Sequence, residues 1–297
     1  MSSLDKYRGR IAPSPTGYLH LGHARTFLIS AERARQFNGD LILRNEDLDP
    51  DRCRPDFVSA MYEDLRWLGM SWSEGPDCGG AYAPYSQSQR REFYLVSWAK
   101  LRDIGAIYSC TCSRKDLAAS ASAPNDVDDE PLYPGNCRSR SGSLSFENPA
   151  GVNWRFRVPD GEEITFDDYH LGPQKYVAGR DFGDFVIWRR DDVPAYQLAV
   201  VADDDSMKIS EVVRGADLLK STARQLLTYR ALGLDAPEFY HCDLVRDESG
   251  ARLAKRHDAL SIRKLREGGW TADQVRARVL DSTAQSGKLP GSLGHRT

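Results

Sequence analysis

The stretch "RIAPSPTGYLHLGHARTFL", Arg10 to Leu28, decides how the chain is read. Residues 8–15 read as a short strand that runs into a proline-bounded loop. From about Leu21, the apolar positions Ala24, Phe27, Leu28 and Ala31 recur at i, i+3, i+4 and i+7, which predicts a helix. His20-Leu21-Gly22-His23 therefore stands at a helix start. There, unsatisfied N–H groups and the positive end of the helix dipole make a ready anion site. Gly17 and Gly22 let backbone and ligand approach closely, and His20 and His23 can donate hydrogen bonds to phosphate oxygens. A lone histidine at a helix start would be read as a cap. Two bracketing a glycine, behind a strand and "APSPTG", point to a phosphate site.

Outward from this stretch the pattern repeats. "GDLILRNED" predicts a buried strand, Leu41 to Arg44, that ends in acidic residues. "PDFVSAMYEDLRWLGM" predicts a helix with Val58, Met61, Leu65 and Leu68 on one face. Strand, helix, strand, helix in this order argues for a parallel α/β sheet, which binds ligands at the carboxyl ends of its strands. "REFYLVSWAKLRDIGAIYSC" predicts a helix ending near Gly105. "GVNWRFRVPDGEEITFDDYHLG" alternates and turns on Asp160-Gly161, which predicts a hairpin. "DFVIWRR" and "AYQLAVVADDD" predict buried strands, with Asp203–Asp205 as an acidic turn, and "ADLLKSTARQLLTYRALGL" predicts a helix. Two short helical stretches follow Arg256. "AASASAPNDVDDE", from 118 to 130, reads as a flexible excursion, and the last dozen residues as disordered.

Bulk properties narrow the function. The chain has 297 residues and a net charge of −3, with a pI of about 6.1. No global basic field exists, so nucleic acid would have to be met by a local patch. There is no run of eighteen apolar residues and no signal-peptide-like N-terminus, which leads us to expect a cytoplasmic protein without membrane partners. In a reducing compartment the six cysteines should not form disulfides. Cys110, Cys112 and Cys137 crowd into one region. They fit either a metal site or free buried thiols, and three are one short of the four ligands that zinc takes.

Several motifs resemble a known family. "PSPTGYLHLGHA" resembles the HIGH signature of class I aminoacyl-tRNA synthetases, in the glutamyl and glutaminyl form. "VVADDDSMKISEVVRGADLLKSTARQ", Val200 to Gln225, resembles the strand–loop–helix segment of glutamyl-type synthetases. "RLAKR", Arg252 to Arg256, stands where that class carries its KMSKS lysine loop. Lys255 matches the second lysine, while Arg252 and Ala254 replace the first lysine and the serine. Cys110-Thr111-Cys112, Tyr133 and Cys137 resemble the zinc-binding pattern of glutamyl-Q tRNA(Asp) synthetases, truncated relatives of glutamyl-tRNA synthetase. The resemblance covers residues 8 to about 265.

The resemblance implies a fold: a Rossmann-like α/β catalytic domain in two halves, 8–110 and 181–256. An acceptor-type subdomain with a zinc site is inserted at 111–180. A short helical stem occupies 257–285, ahead of a tail at 286–297. About forty residues follow Arg256, too few for an anticodon-binding domain. The implied activity is ATP-dependent activation of L-glutamate through a glutamyl-adenylate, then transfer to the queuosine base at the wobble position of tRNA(Asp). The alternative is an enzyme that charges a tRNA 3′ end without an anticodon domain, using the same catalytic residues. His20, His23 and Lys255 would be catalytic, and would hold ATP together with Gly22 and Arg252, Mg²⁺ accompanying the nucleotide. Arg10, Ser14, Glu46, Tyr196 and Arg214 would bind glutamate. Glu46 would meet the ammonium, Arg10 or Arg214 the side-chain carboxylate, and Tyr196 would add a hydroxyl. Cys110, Cys112, Tyr133 and Cys137 would hold one structural Zn²⁺. Arg189-Arg190 and "RLAKRHDALSIRKLR" offer local positive charge to RNA. The family also implies a monomer.

Overall fold

Strand β1 (Arg8–Ile11) lies between β2 (Asp40–Leu43) and β8 (Glu211–Gly215) and is parallel to both. The computed structural model describes residues 6–113, 132–139, 146–245 and 261–280. Ile11, Ile42 and Leu43 are fully buried, as expected for short apolar strands covered on both faces. The sheet continues through β9 (Glu238–Cys242), β5 (Glu163–Asp168) and β6 (Gly172–Val177), in the order β2-β1-β8-β9-β5-β6. Every neighbouring pair is parallel except β5–β6.

Helix α1 (Leu21–Gln36) follows β1 and packs on β1, β2 and β8. The chain thus reaches β2 on one side of β1, while β8 occupies the other. Such a reversal opens a crevice beyond the carboxyl ends of the strands. Helix α2 (Pro55–Trp67) starts on proline, whose fixed φ and missing N–H suit a first helical turn. It buries Met61 and Leu65, with Leu68 just beyond; Val58 on the same face is half-buried.

A second, three-stranded antiparallel sheet joins β3 (Ile107–Cys110), β4 (Asn153–Phe156) and β7 (Val186–Trp188). Its strands come from all three segments between 8 and 256: β3 from the first, β4 from the second and β7 from the third. Helices α3 (Arg91–Asp103), α4 (Tyr196–Ser206) and α5 (Leu219–Leu232) share one core with it, where Trp98 meets Trp154 edge-on at 5.0 Å. Two short helices, α6 (Ile262–Glu267) and α7 (Ala272–Leu280), close the described chain against α2 and α1. No helix among the described residues is long and apolar enough to cross a membrane.

Two expectations change. A turn does form at Asp160-Gly161, with Gly161 at φ 83°, but it joins two sheets rather than closing a hairpin. Both edges of β4 are already taken by β3 and β7, so the chain leaves that sheet. The hairpin is β5–β6, with Asp168 opposite Gly172. "AYQLAVVADDD" is the helix α4, not a strand. Leu198 through Asp204 are all buried, so no polar stripe marks the helical period and the apolar run is ambiguous between the two states.

Candidate functional site

A cleft of about 640 Å³ opens at the carboxyl ends of β1 and β8. Arg10, Ser14, His20, Gly22, His23, Glu46, Tyr196 and Arg214 all line it. The remaining two residues expected near ATP, Arg252 and Lys255, lie outside the described residues. The chain on either side of them is at the cleft. Val245 lines it, and Ser261 forms a backbone bridge to His20, with the Ile262 N–H donating to the Leu19 carbonyl at 2.7 Å.

At one end of the cleft, His20 is the N-cap of α1. Its Nδ1 accepts the Gly22 N–H at 3.1 Å, while His23 Nδ1 accepts the His20 N–H at 3.3 Å. The rings stack at 3.7 Å. With both Nδ1 atoms accepting, the neutral imidazoles carry their protons on Nε2 and are donors there. A Cβ on Gly22 would sit 3.0 Å from His20 Cε1, so a side chain there would press on the ring that caps the helix.

The far end of the cleft rests on a buried ionic floor. Arg44, at the end of β2, reaches Glu46 at 3.0 Å and Asp204 at 2.6 Å. Arg90 donates to Asp203 at 2.6 Å, Gln87 donates to it at 2.7 Å, and Arg10 lies 3.5 Å from Asp204. Asp203 and Asp204 are therefore not an acidic turn on the surface; they are buried counter-charges for three arginines. Burial pushes the Glu46 carboxyl above its ordinary range, against the pull of Arg44 and Arg10. A substrate ammonium would restore its charge.

Arg214, on β8, is held differently. Its Nε donates to His241 Nε2 at 3.2 Å, Nη1 to the Tyr196 hydroxyl at 3.3 Å and Nη2 to Thr222 Oγ1 at 2.6 Å. His241, on β9, is fully buried, and its Nδ1 lies 2.6 Å from Asp168 Oδ2. Burial first, then the Arg214 charge, lowers this imidazole to about 4, although Asp168 pulls the other way. The ring is thus neutral at pH 7. Sequence reasoning missed Arg44, Asp168, Thr222 and His241. The available signal was charge in buried strands: Arg44 in "LILRNED" and His241 in "EFYHC" interrupt apolar runs.

The model of the class I tRNA synthetase (E and Q) catalytic domain matches residues 6–280. The chain belongs to that family. Among its curated relatives, it is 47% identical over 274 residues to a glutamyl-Q tRNA(Asp) synthetase of Symbiobacterium thermophilum, covering 90% of this chain and 83% of that one. It is 42% identical to glutamate–tRNA ligase 2 of Acidithiobacillus ferrooxidans, covering 91% of this chain and 56% of the relative. The crystal structure of a glutamate tRNA ligase from Elizabethkingia meningosepticum, in complex with its amino acid, superposes with a TM-score of 0.74 at 34% identity. The match covers 90% of this chain and 54% of that one, so the chain spans about half the length of that solved synthetase.

A second cluster in this synthetase-family chain lies at the end of β3. The sulfurs of Cys110, Cys112 and Cys137 all lie within 4.8 Å of one another. The Tyr133 hydroxyl stands 3.4 Å from Cys110 Sγ and 3.5 Å from Cys112 Sγ, and accepts the Cys137 N–H at 2.9 Å. Arg155 stacks on the Tyr133 ring at 3.9 Å and helps fix its orientation. Three thiolates around one tetrahedral zinc lie roughly 3.8 Å apart, so the donor set could hold such an ion. Burial raises Cys137, but hydrogen bonds from Tyr133 and its neighbours outweigh this and lower it to about 6. Burial and the adjoining thiols push Tyr133 well above its ordinary range; only a cation would make it a phenolate.

Proposed function

We propose that this chain activates L-glutamate with ATP and transfers it to the queuosine base at the wobble position of tRNA(Asp). The observation that carries this reading is the cleft. It gathers a histidine pair at a helix N-terminus, a carboxylate for an ammonium and an uncompensated arginine for a carboxylate. The 47% identity to a protein named glutamyl-Q tRNA(Asp) synthetase supports the choice of RNA. As the family resemblance implies, the enzyme would work as a cytoplasmic monomer.

Activation is attack by the glutamate α-carboxylate on the α-phosphorus of ATP, with pyrophosphate leaving. The protein's task is to align the reactants and stabilise negative charge. His20 and His23 donate their Nε2 protons toward the phosphates from the start of α1, and the absent Cβ at Gly22 keeps the His20 ring in place. Lys255 and Arg252 bring positive charge from the lysine loop. A Mg²⁺ ion accompanying the nucleotide would supply further positive charge there. Glu46 receives the substrate ammonium and Ser14 closes the loop around it. Arg214, with Tyr196, takes the side-chain carboxylate. Arg10 supports both from the floor. Cys110, Cys112, Cys137 and Tyr133 would hold one structural Zn²⁺, which would tie β3 to the 132–139 segment. All four positions would be filled by protein, so no substrate would bind the metal.

The test is transfer of labelled glutamate, with ATP and Mg²⁺, onto two matched tRNA pools, one containing queuosine and one lacking it. Label only on the queuosine pool, retained after the 3′-terminal nucleotide is removed, is the expected result. Label on both pools, confined to the 3′ end, would make the chain a tRNA-charging enzyme instead.

A further inference from the structure

We infer that Asp168 and His241 form a buried positioning pair that aims the Arg214 guanidinium into the cleft and leaves its charge for the substrate. The inference rests on the reading that the cleft takes glutamate. Its observations are independent of that reading. Four arginines lie buried at this end of the cleft: Arg10, Arg44, Arg90 and Arg214. Three of them meet a carboxylate within 3.5 Å. Arg214 meets none among the described residues. Its partners are His241 Nε2, the Tyr196 hydroxyl and Thr222 Oγ1, all neutral acceptors.

The carboxylate nearest in the chain of contacts, Asp168, is kept one residue away, behind the imidazole. Asp168 accepts the backbone N–H groups of His170, Leu171 and His241, and its Oδ2 accepts the His241 Nδ1–H at 2.6 Å. That fixes the tautomer. With the proton on Nδ1, Nε2 is an acceptor, and it faces Arg214 Nε–H at 3.2 Å and the Thr222 hydroxyl at 2.9 Å. The opposite tautomer would set an N–H against an N–H. A carboxylate in place of His241 would pair with Arg214 and cancel its charge. A neutral ring with an acceptor toward the guanidinium orients it without neutralising it, as outer partners orient metal-ligating histidines. The lowered pKa of His241 agrees with that state.

The arrangement is spread over four elements. Arg214, one residue before the end of β8, is in register with His241 of β9. Asp168 ends β5, which pairs with β9 at Phe239. Thr222 comes from the first turn of α5. Three neighbouring strands thus deliver acid, ring and guanidinium in line toward the crevice.

The test compares His241→Ala, His241→Gln and Asp168→Asn with the unaltered chain in glutamate-dependent ATP–pyrophosphate exchange. Histidine ring tautomers are read by ¹⁵N NMR on the same proteins. For His241→Ala, we expect the KM for glutamate to rise about 10- to 100-fold, the worth of one charge-assisted hydrogen bond. The KM for ATP should stay within about twofold. His241→Gln, whose amide oxygen can accept from Arg214, should recover much of the loss. Asp168→Asn should raise the glutamate KM and shift the His241 proton toward Nε2. In the unaltered chain, His241 should be neutral with its proton on Nδ1. A ring charged at pH 7, or protonated on Nε2, overturns the inference whatever the exchange assay gives. So does an equal rise in both KM values, with no recovery in His241→Gln, which marks a merely structural role. An unaltered chain with the expected tautomer but no glutamate-dependent exchange would instead overturn the reading of the cleft, and with it the role given to the pair.

Discussion

Lowering the pH from 7 to 5 will weaken the fold through His241. Burial and the neighbouring Arg214 charge hold the folded imidazole at about 4, against about 6.5 in an unfolded chain. Between those values, the unfolded chain binds a proton that the folded chain refuses. The stabilisation is therefore complete above about 6.5 and is lost as pH falls toward 4. One group with those two values contributes about 3 kcal/mol over the whole interval, of which about 2 kcal/mol disappears between pH 7 and 5. Asp64 and Glu46 act with the opposite sign. Burial raises both, so the folded state holds their protons more tightly and gains as pH falls. The His241 share is isolated by subtraction. Urea unfolding of the unaltered chain and of His241→Gln at pH 7, 6 and 5 should show a stability gap that narrows by about 2 kcal/mol. A gap that stays constant across that range would refute the reasoning, because it would mean that the ring is exposed or charged in the folded state.

Asp64 is buried with both carboxylate oxygens lacking a hydrogen-bond partner, and burial raises it to about 6. Asp64→Asn should therefore stabilise the chain at pH 7 by about 1–2 kcal/mol, an advantage that thermal melts should see shrink as pH falls from about 6 toward about 4. Asp203→Ala removes the counter-charge of Arg90 and should cost about 3–5 kcal/mol, read as a large fall in the urea midpoint. Gly22→Ala forces the His20 ring to give way by a few tenths of an ångström; ATP–pyrophosphate exchange should slow about tenfold or more while the melting temperature barely moves. Chelation of a zinc-loaded preparation, or Cys137→Ser, should lower the melting temperature and loosen the 132–139 segment, as measured by hydrogen exchange.

The sequence carried most of the site because its signals were local. His20, Gly22 and His23 sit within one turn, and their position at a helix start follows from periodicity alone. Cys110, Cys112 and Cys137 crowd together in the sequence, Tyr133 joins them only through the family resemblance, and the structure brings the four side chains together. The less legible parts depend on partners far apart in the chain. Asp203 and Asp204 look like a surface turn until Arg44 and Arg90 arrive from more than a hundred residues away. His241 looks like a strand residue until Asp168 is placed beside it. The helix α4 hid for another reason: buried on every side, it shows no polar face from which a period could be read.

Helix α4 joins the two ends of this design. Tyr196, its first residue, offers a hydroxyl to Arg214 at the cleft, and Asp203 and Asp204 lie two turns further along in the ionic floor. About 11 Å of rigid backbone separates them. On the proposed reading, the helix acts as a strut that sets the spacing between the group that would meet a side-chain carboxylate and the strand ends that carry Glu46 and Arg10. A substrate one methylene shorter or longer would find those contacts out of reach together rather than one at a time. Length discrimination between acidic amino acids would then be a property of a helix that touches the substrate only at its tip.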